Sequence, residues 1–190
     1  SVLFCFPYLI LFNQLIHNMN RQKHKISWII ATWFGSGLLP KAPGTWGSLA
    51  AIPFAYLFSI YTCPYALIFG IVALFFIGIW VSDKIEESAQ IKDPGFIVVD
   101  EVVGQWMALL PLPFIYTFLD TNSFYLYSAP IAVVAFIAFR IFDIWKPWPV
   151  NYADKNFPGG YGIMFDDVIA GMYALIVTSA LTAVMVIVFM

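Results

Sequence analysis

Long apolar stretches, separated by short polar ones, dominate the chain. Five apolar runs each approach or exceed the roughly 20 residues that cross a bilayer as a helix. The runs are Trp46–Tyr61, Pro64–Val81, Val102–Leu119, Phe124–Phe142 and Val168–Met190. The pattern predicts an all-α, polytopic integral membrane protein with about four to five transmembrane helices.

Prolines make two of these runs irregular. The first run is short and carries Pro53, and a proline inside a helix kinks or ends it. This segment is therefore either a full span, or a tilted or re-entrant one. Pro111 and Pro113 are expected to break the third run near its end, where protein neighbours or water must satisfy the freed carbonyls.

The first 25 residues are expected to form a separate, dispensable extension. Ser1–Ile16 is apolar and a basic run at positions 21–25 follows it, which is the reverse of a secretory signal peptide. The segment is either an additional membrane-associated helix or an upstream extension. We favour the extension, because no charged or catalytic residue type precedes His17. Residues 26–190 would then form a single membrane domain.

Composition agrees with a membrane location. Of the 190 residues, 62% are hydrophobic and 11% are charged, whereas about a quarter of the residues in soluble domains are charged. The two cysteines, Cys5 and Cys63, are too far apart to suggest a disulfide framework or a metal site. Redox chemistry is therefore not expected. The net charge of −2 says less than the placement of the charges.

The basic residues fall on one side of the predicted topology. They lie before the first run, between the second and third runs, and near the junction of the fourth and fifth runs. They are Arg21, Lys23, Lys25, Lys41, Lys84, Lys92, Arg140, Lys146 and Lys155. Alternating spans bring these three regions to one face, which the positive-inside rule makes cytoplasmic. That face therefore collects nearly all the ionisable side chains.

Acidic residues form two adjacent pairs on this face. Asp100 and Glu101 are expected to begin the third helix, and Asp166 and Asp167 the fifth. Such pairs often only complement the helix dipole, worth about 0.3 to 1 kcal/mol. Two pairs facing Asp143 point instead to a divalent cation, because carboxylates at a membrane boundary are costly unless paired.

The donor types indicate which cation this would be. Carboxylate oxygens suit Mg²⁺ better than zinc, since the only histidines, His17 and His24, lie outside the polar motifs. The acidic residues therefore predict a Mg²⁺ site.

Arg140, Asp143 and Lys146 follow one another at helical spacing near the end of the fourth run. Local ion pairing at a helix end would explain them. In a shared cavity, Arg140 would instead grip a phosphate with two hydrogen bonds while Lys146 adds a point charge. We favour this interpretation, because acids suited to a metal beside bases suited to phosphate predict phosphoryl chemistry.

The stretch KAPGTWGS adds hydrogen-bond donors before the first run. Gly44 and Gly47 permit close backbone approach, and Thr45 is expected to cap the following helix, whose N-terminus attracts anions. A membrane-entry turn in which Lys41 reaches the lipid headgroups would give the same pattern. The residue order excludes a Walker loop.

Several routes to phosphate hydrolysis lack their residues. Neither cysteine is followed six residues later by an arginine, no histidine lies near the motifs, and no DxD sequence occurs. Metal-assisted hydrolysis remains, with either water or a carboxylate as the nucleophile.

In order and spacing, the motifs resemble those of the phosphatidylglycerophosphatase A family. The resemblance covers roughly Ser27–Leu175 and rests on GSGLLPKAPGTWGSLAAIP, DPGFIVVDEVVGQW, FRIFDIWKPWP and GGYGIMFDDVIAGMYA. It implies an all-helical, Mg²⁺-dependent lipid phosphatase of the bacterial inner membrane. Such an enzyme converts phosphatidylglycerophosphate into phosphatidylglycerol and inorganic phosphate. Lipids are its expected partners, and no nucleic acid is expected.

The resemblance also carries individual polar positions, to which we assign roles as hypotheses. Lys41, Thr45, Arg140 and Lys146 are the expected phosphate-binding residues. Glu101, Asp166 and Asp167 are the expected metal ligands, and Asp100 and Asp143 are further ligands or proton-transfer groups.

Two further expectations concern the membrane. Trp46, Trp106, Trp145 and Trp148 are assigned to the interfacial aromatic belt and not to direct lipid recognition. A small cation or phosphate-linked transporter is the alternative function, but transporters usually carry ionisable groups near mid-membrane and often show internal repeats. Here the charges cluster at one boundary.

Replacing Lys41 with alanine tests the role of the opening motif. If Lys41 contacts the phosphate, Lys41→Ala should reduce lipid-phosphate hydrolysis much more than it changes the thermal unfolding midpoint. Hydrolysis at the wild-type rate would restrict Lys41 to headgroup contact.

Overall fold

Every regular element in the computed structural model is a helix, over the described residues 25–119 and 121–189. In chain order the α-helices are α1 (Lys25–Ala31), α2 (Pro43–Tyr61), α3 (Ala66–Ala89), α4 (Val99–Ala108), α5 (Pro111–Phe118), α6 (Thr121–Trp145), α7 (Val150–Asn156) and α8 (Gly159–Phe189). A short 3₁₀ turn, Ser36–Leu38, lies between α1 and α2. The predicted all-helical class is confirmed for this part of the chain.

Within the described ranges, three helices are long and apolar enough to cross a membrane, namely α3, α6 and α8. The first apolar run forms one helix, α2, with Pro53 inside it. Prolines do interrupt the third run, but near its middle, because α4 ends at Ala108 and Pro111 begins α5. A proline at the first helical position lacks only an N–H that would be unpaired anyway.

Helix α8 packs against five of the other described helices. It lies most extensively against α4 and α6, and it also contacts α3 and α7. Where α8 crosses α4, a Cβ on Gly171 would lie 2.6 Å from the carbonyl oxygen of Gly104. Small residues permit this backbone-to-backbone approach. The crossing therefore brings α4 against the turn of α8 that carries Asp167.

The start of α8 differs from the sequence prediction. Asp166 and Asp167 do not begin this helix, which starts at Gly159 and places both residues two turns inside. The Asp83 carboxylate of α3 accepts a hydrogen bond from the Gly160 N–H at 2.6 Å. The sequence prediction placed the helix start at the acidic pair because acidic residues are common in a first helical turn, whereas Gly159, Gly160 and Gly162 are poor helix formers.

Helix α8 is longer than the thickness of the hydrocarbon core of a bilayer. A helix of 31 residues is about 46 Å long, whereas the hydrocarbon core of a bilayer is about 30 Å thick. The helix is therefore long enough for its polar first turns to stand outside the hydrocarbon.

Trp106 does not belong to an interfacial belt, contrary to the sequence prediction. Its side chain is buried, and its indole N–H donates to the Ala51 carbonyl at 2.9 Å. The residue therefore joins α4 to α2. The other three tryptophans of the prediction, Trp46, Trp145 and Trp148, are exposed.

The predicted N-terminal extension lies outside the described residues, apart from Lys25 at the start of α1. Its dispensability stays a prediction.

A methyl group at the crossing of α4 and α8 should destabilise the protein. Gly171→Ala places a Cβ against the backbone of α4, and such overpacking costs about 1 to 3 kcal/mol. Gly70→Ala in α3 is the control, because the nearest atom to its Cβ belongs to the Trp106 side chain at 3.3 Å. Thermal unfolding in detergent should show a lower midpoint for Gly171→Ala only, and equal midpoints would contradict the close crossing.

Candidate active site

A cavity of about 560 Å³ lies where the polar motifs meet. Its walls come from the start of α2, the loop before α4, the first turn of α4, the ends of α3 and α6, and the segment from α7 into α8. Its charged lining residues are Glu86, Lys92, Asp93, Asp100, Glu101, Arg140, Asp143, Lys146, Asp154, Asp166 and Asp167. Eight carboxylates thus face three cationic side chains, so the cavity attracts cations and an anion needs compensating positive charge to enter.

Three of these carboxylates form a candidate metal site. Asp100, Glu101 and Asp167 each offer one oxygen, and these oxygens lie within 4.8 Å of one another. Asp100 and Glu101 come from the first turn of α4, and Asp167 comes from α8. The close helix crossing at Gly104 and Gly171 is what brings the two sides together.

Two oxygen atoms in this cluster have no hydrogen-bond partner. Oδ1 of Asp100 and Oε2 of Glu101 are shielded from solvent and unpaired among the described residues. An unpaired buried carboxylate oxygen is costly, whereas it is a suitable ligand for a hard divalent cation. The residues therefore fit a metal ion.

The pKa shifts of these acids also favour a bound cation. Burial raises the pKa of Asp100 well above its usual range, and the charge of neighbouring Glu101 adds to the effect. Burial also raises the pKa of Glu101, with further increases from Asp167 and Asp143. The pair therefore resists ionisation until a cation offsets its charge.

Gly44 allows the start of α2 to reach this cluster. A Cβ at Gly44 would overlap Oε1 of Glu101 and would lie 3.2 Å from Nη1 of Arg140. The predicted close backbone approach is thus present at Gly44, and any larger residue would displace both neighbours.

Arg140 is both paired and directed at the cavity. Its Nη1 lies 2.8 Å from Oδ2 of Asp143, so the local ion pair that the spacing allowed is present. The same nitrogen lies 3.5 Å from the hydroxyl of buried Ser48. The Nε of Arg140 is buried and has no partner among the described residues. A hydrogen-bond donor therefore remains for an anion.

Lys146 does not pair with Asp143 as local spacing suggested. Its ammonium donates to Asp154 at 2.7 Å and to Asp166 at 2.8 Å. Burial opposes the charged form, but these two hydrogen bonds raise the pKa of Lys146 overall. Asp166 is consequently engaged by Lys146 and stands apart from the three-carboxylate cluster.

The opening motif reaches the cavity through its backbone. Lys41 is exposed and precedes the wall formed by Ala42, Pro43 and Gly44, and neither Lys41 nor Thr45 lines the cavity. Thr45 does not cap α2, because the helix begins at Pro43 with Ala42 as its N-cap residue. The proposed phosphate contacts of Lys41 and Thr45 stay predictions.

Sequence reasoning assigned no role to several residues of the cavity. Asp93 opens the second motif, and its N–H donates to Oε1 of Glu86 at 2.6 Å, which ties the loop to α3. Asp154 lies between the quoted motifs FRIFDIWKPWP and GGYGIMFDDVIAGMYA and reaches Lys146 across the turn between α6 and α7. Asp93 and Asp154 have partners seven and eight positions away, beyond the three- or four-residue spacing that identifies neighbours within one helix.

Divalent cation binding should stabilise the folded protein through the three-carboxylate cluster. At a concentration 100 times the dissociation constant, Mg²⁺ or Mn²⁺ should add about 2.7 kcal/mol. Glu101→Gln and Asp167→Asn should lose this gain, while their metal-free midpoints stay at or above wild type because buried charge is removed.

Titration of the thermal unfolding midpoint with metal chloride in detergent measures both effects. Glu87→Gln, which neutralises an exposed acid on α3, is the control and should respond like wild type. An unchanged metal response in the Glu101 and Asp167 variants would exclude this cluster.

Comparison with known proteins identifies relatives of this chain. Two phosphatidylglycerophosphatases A are similar to this chain. The protein of Escherichia coli (strain K12) is 41% identical over 155 residues, which cover 80% of this chain and 82% of that protein. The protein of Haemophilus influenzae is 39% identical over 154 residues, which cover 80% and 86% respectively.

A third relative carries a different name. A Bacteroides thetaiotaomicron protein named as a candidate phosphatidylinositol-3-phosphatase is 42% identical over 153 residues, which cover 78% of this chain and 88% of that protein. No solved structure matches the chain significantly. The sequence profile described as Phosphatidylglycerophosphatase A matches residues 29–182. The chain therefore belongs to the phosphatidylglycerophosphatase A family.

Proposed function

We propose that this protein is a membrane lipid phosphatase. It hydrolyses the terminal phosphate monoester of phosphatidylglycerophosphate and releases phosphatidylglycerol and inorganic phosphate. Family membership and two relatives of that name support the reaction. The observation that carries it is the cavity, in which a three-carboxylate cluster lies beside Arg140 and Lys146.

The metal proposed for the cluster is Mg²⁺. The donors are carboxylate oxygens, and no histidine or cysteine lines the cavity among the described residues. Asp100, Glu101 and Asp167 would hold the ion, so Asp100 takes the place that sequence reasoning gave to Asp166. When bound, Mg²⁺ neutralises phosphate charge and lowers the pKa of a water ligand.

Arg140 is proposed to bind the phosphate. Asp143 holds one guanidinium nitrogen at 2.8 Å, and this pairing fixes the orientation of the group. The buried Nε then offers a charge-assisted hydrogen bond to a phosphate oxygen. Lys146, directly after α6 and held between Asp154 and Asp166, adds a second fixed positive charge to the cavity.

Hydrolysis requires one proton to move. As water forms its bond to phosphorus, the bond from phosphorus to the glycerol oxygen breaks, and that oxygen must gain a proton. Asp143 is proposed to accept the proton of the water and to deliver one to the glycerol oxygen. Its carboxylate lines the cavity but lies outside the three-carboxylate cluster.

The proposed location is the bacterial inner membrane, with the cavity facing the cytoplasm. The distribution of basic residues supports this side through the positive-inside rule. The cavity lies at the ends of α3 and α6 and at the start of α8, and not halfway along them. This position favours a phosphatase acting at headgroup level over the alternative of a transporter.

The headgroup is the remaining choice. The Bacteroides relative makes phosphatidylinositol 3-phosphate the second candidate substrate, since it too presents a phosphate monoester on a lipid. Two of the three relatives bear the phosphatidylglycerophosphatase name, so we place phosphatidylglycerophosphate first.

Phosphate release from mixed micelles tests this proposal. The purified protein should release inorganic phosphate from phosphatidylglycerophosphate, lose this activity with a chelator and regain it with Mg²⁺. Glu101→Gln should lower kcat/KM by about 100-fold or more, because it removes a metal ligand, whereas Glu87→Gln should not.

Two outcomes would contradict the proposal. Faster release from phosphatidylinositol 3-phosphate than from phosphatidylglycerophosphate would reverse the order of substrates. If the Mg²⁺-loaded protein released phosphate from neither lipid, a phosphatase would be excluded and the alternative of a transporter would be favoured.

A further inference from the structure

The cavity has room for the phosphate end of a lipid but little apolar surface for its chains. Most of its described lining residues are charged or are glycines, and Phe157 is the one aromatic side chain among those described. Contact between acyl chains and ionised groups is unfavourable, because the charged groups lose hydration. The acyl chains of a lipid substrate must therefore extend out of the cavity. The apolar surface next to the cavity determines where they lie.

Phe157 begins a continuous series of aromatic contacts. Its ring centroid lies 5.4 Å from that of Tyr161 and 5.5 Å from that of Phe165. Tyr161 and Phe165 stack at 5.2 Å, and Tyr161 also contacts Phe75 of α3 at 6.3 Å. We call Phe157, Phe165, Tyr161 and Phe75 the aromatic track.

The track leads from the cavity towards the apolar part of the spans. The start of α8 lies beside Asp83 of α3, at the charged end of that helix. Phe75 precedes Asp83 by eight residues, which is about 12 Å along the helix and away from the charges. Tyr161 is 40% exposed, and Phe75 is half-buried with its ring 5.5 Å from that of Phe76, which is 63% exposed. The track therefore ends on the outer surface of α3 and α8, two of the candidate spans.

A second groove, which is apolar and has a volume of about 680 Å³, lies between α5 and the later part of α8. Its walls include Phe114 and Phe118 of α5, and Leu175 and Val186 of α8. It shares no lining residue with the charged cavity. Continuity with the charged cavity thus favours the aromatic track as the path for a chain attached to a bound phosphate.

We propose that the aromatic track seats the part of the acyl chains nearest the headgroup, and so makes the site prefer lipid phosphates over water-soluble phosphate monoesters. The inference rests on the proposed lipid phosphatase function and adds to it a specificity surface. Phe157 marks the boundary, because it lines the cavity and also contacts the next two members of the track.

Kinetics with substitutions along the track provide the first test. Tyr161→Ser combined with Phe165→Ser should raise KM for phosphatidylglycerophosphate, expressed as its mole fraction in micelles, about tenfold through lost apolar contact. The inhibition constant of inorganic phosphate and kcat should stay near wild type, because the cavity is unchanged. Phe69→Ser is the control, since Phe69 is an exposed aromatic residue at the opposite end of α3.

Two kinetic results would overturn the inference. An unchanged KM would show that the track does not contact the lipid. Parallel increases in KM and in the phosphate inhibition constant would show that the substitutions distort the cavity. Phe165→Leu keeps an apolar side chain and should raise KM less than Phe165→Ser does, so equal increases in KM for these two variants also count against the track.

Photo-crosslinking provides a second test that needs no turnover. A phosphatidylglycerophosphate analogue with a diazirine at the head end of one acyl chain should label peptides that contain Tyr161, Phe165 or Phe75. Labelling of Phe114 or Phe118 instead would place the chain in the second groove and overturn the inference. If the wild-type protein releases no phosphate, the proposed function fails, while the labelling pattern still decides where the lipid lies.

Discussion

The need to hold three carboxylates together, shielded from water, is the constraint on which the rest of the site depends. Asp100 and Glu101 on α4 face Asp167 on α8, and two of their oxygens have no partner among the described residues. Such an arrangement costs free energy in the metal-free protein. It persists because the glycines at the helix crossing fix α4 against α8. The three carboxylates thus lower the stability of the metal-free fold at the place where they could bind a cation.

The cationic side chains are arranged differently from the acids. Arg140 and Lys146 each have carboxylate partners, and these partners orient the cations without removing all of their donors. Among the described residues, Asp100, Glu101 and Asp167 form no salt bridge of this kind. The positive side chains of the site are therefore held in fixed positions, whereas the carboxylates of the cluster have oxygens free to bind a cation. This distribution of charge suits metal-assisted phosphate chemistry.

The sequence predicted the helical class, the convergence of the motifs and most of the charged residues around the cavity. Local spacing was enough for the pair Arg140–Asp143, which lies within one helix. It failed for Lys146, whose partners lie on α7 and α8, and it did not show that Asp100, expected as a further ligand or a proton-transfer group, lies with Glu101 and Asp167 while Asp166 contacts Lys146. Both depend on how helices cross. The early start of α8 and the burial of Trp106 were missed because hydropathy reports neither capping by a distant residue nor which face of a helix is covered.

The hydrogen bond from Gly160 to Asp83 fixes where α8 begins relative to α3. Because α3 and α8 are both long enough to cross a bilayer, this contact sets the register between two candidate spans. The level of Asp167 along the molecule is thereby set by helix length and one backbone contact. A shift of α8 along its axis by one helical turn would move Asp167 by about 5.4 Å and separate its carboxylate from those of Asp100 and Glu101 on α4.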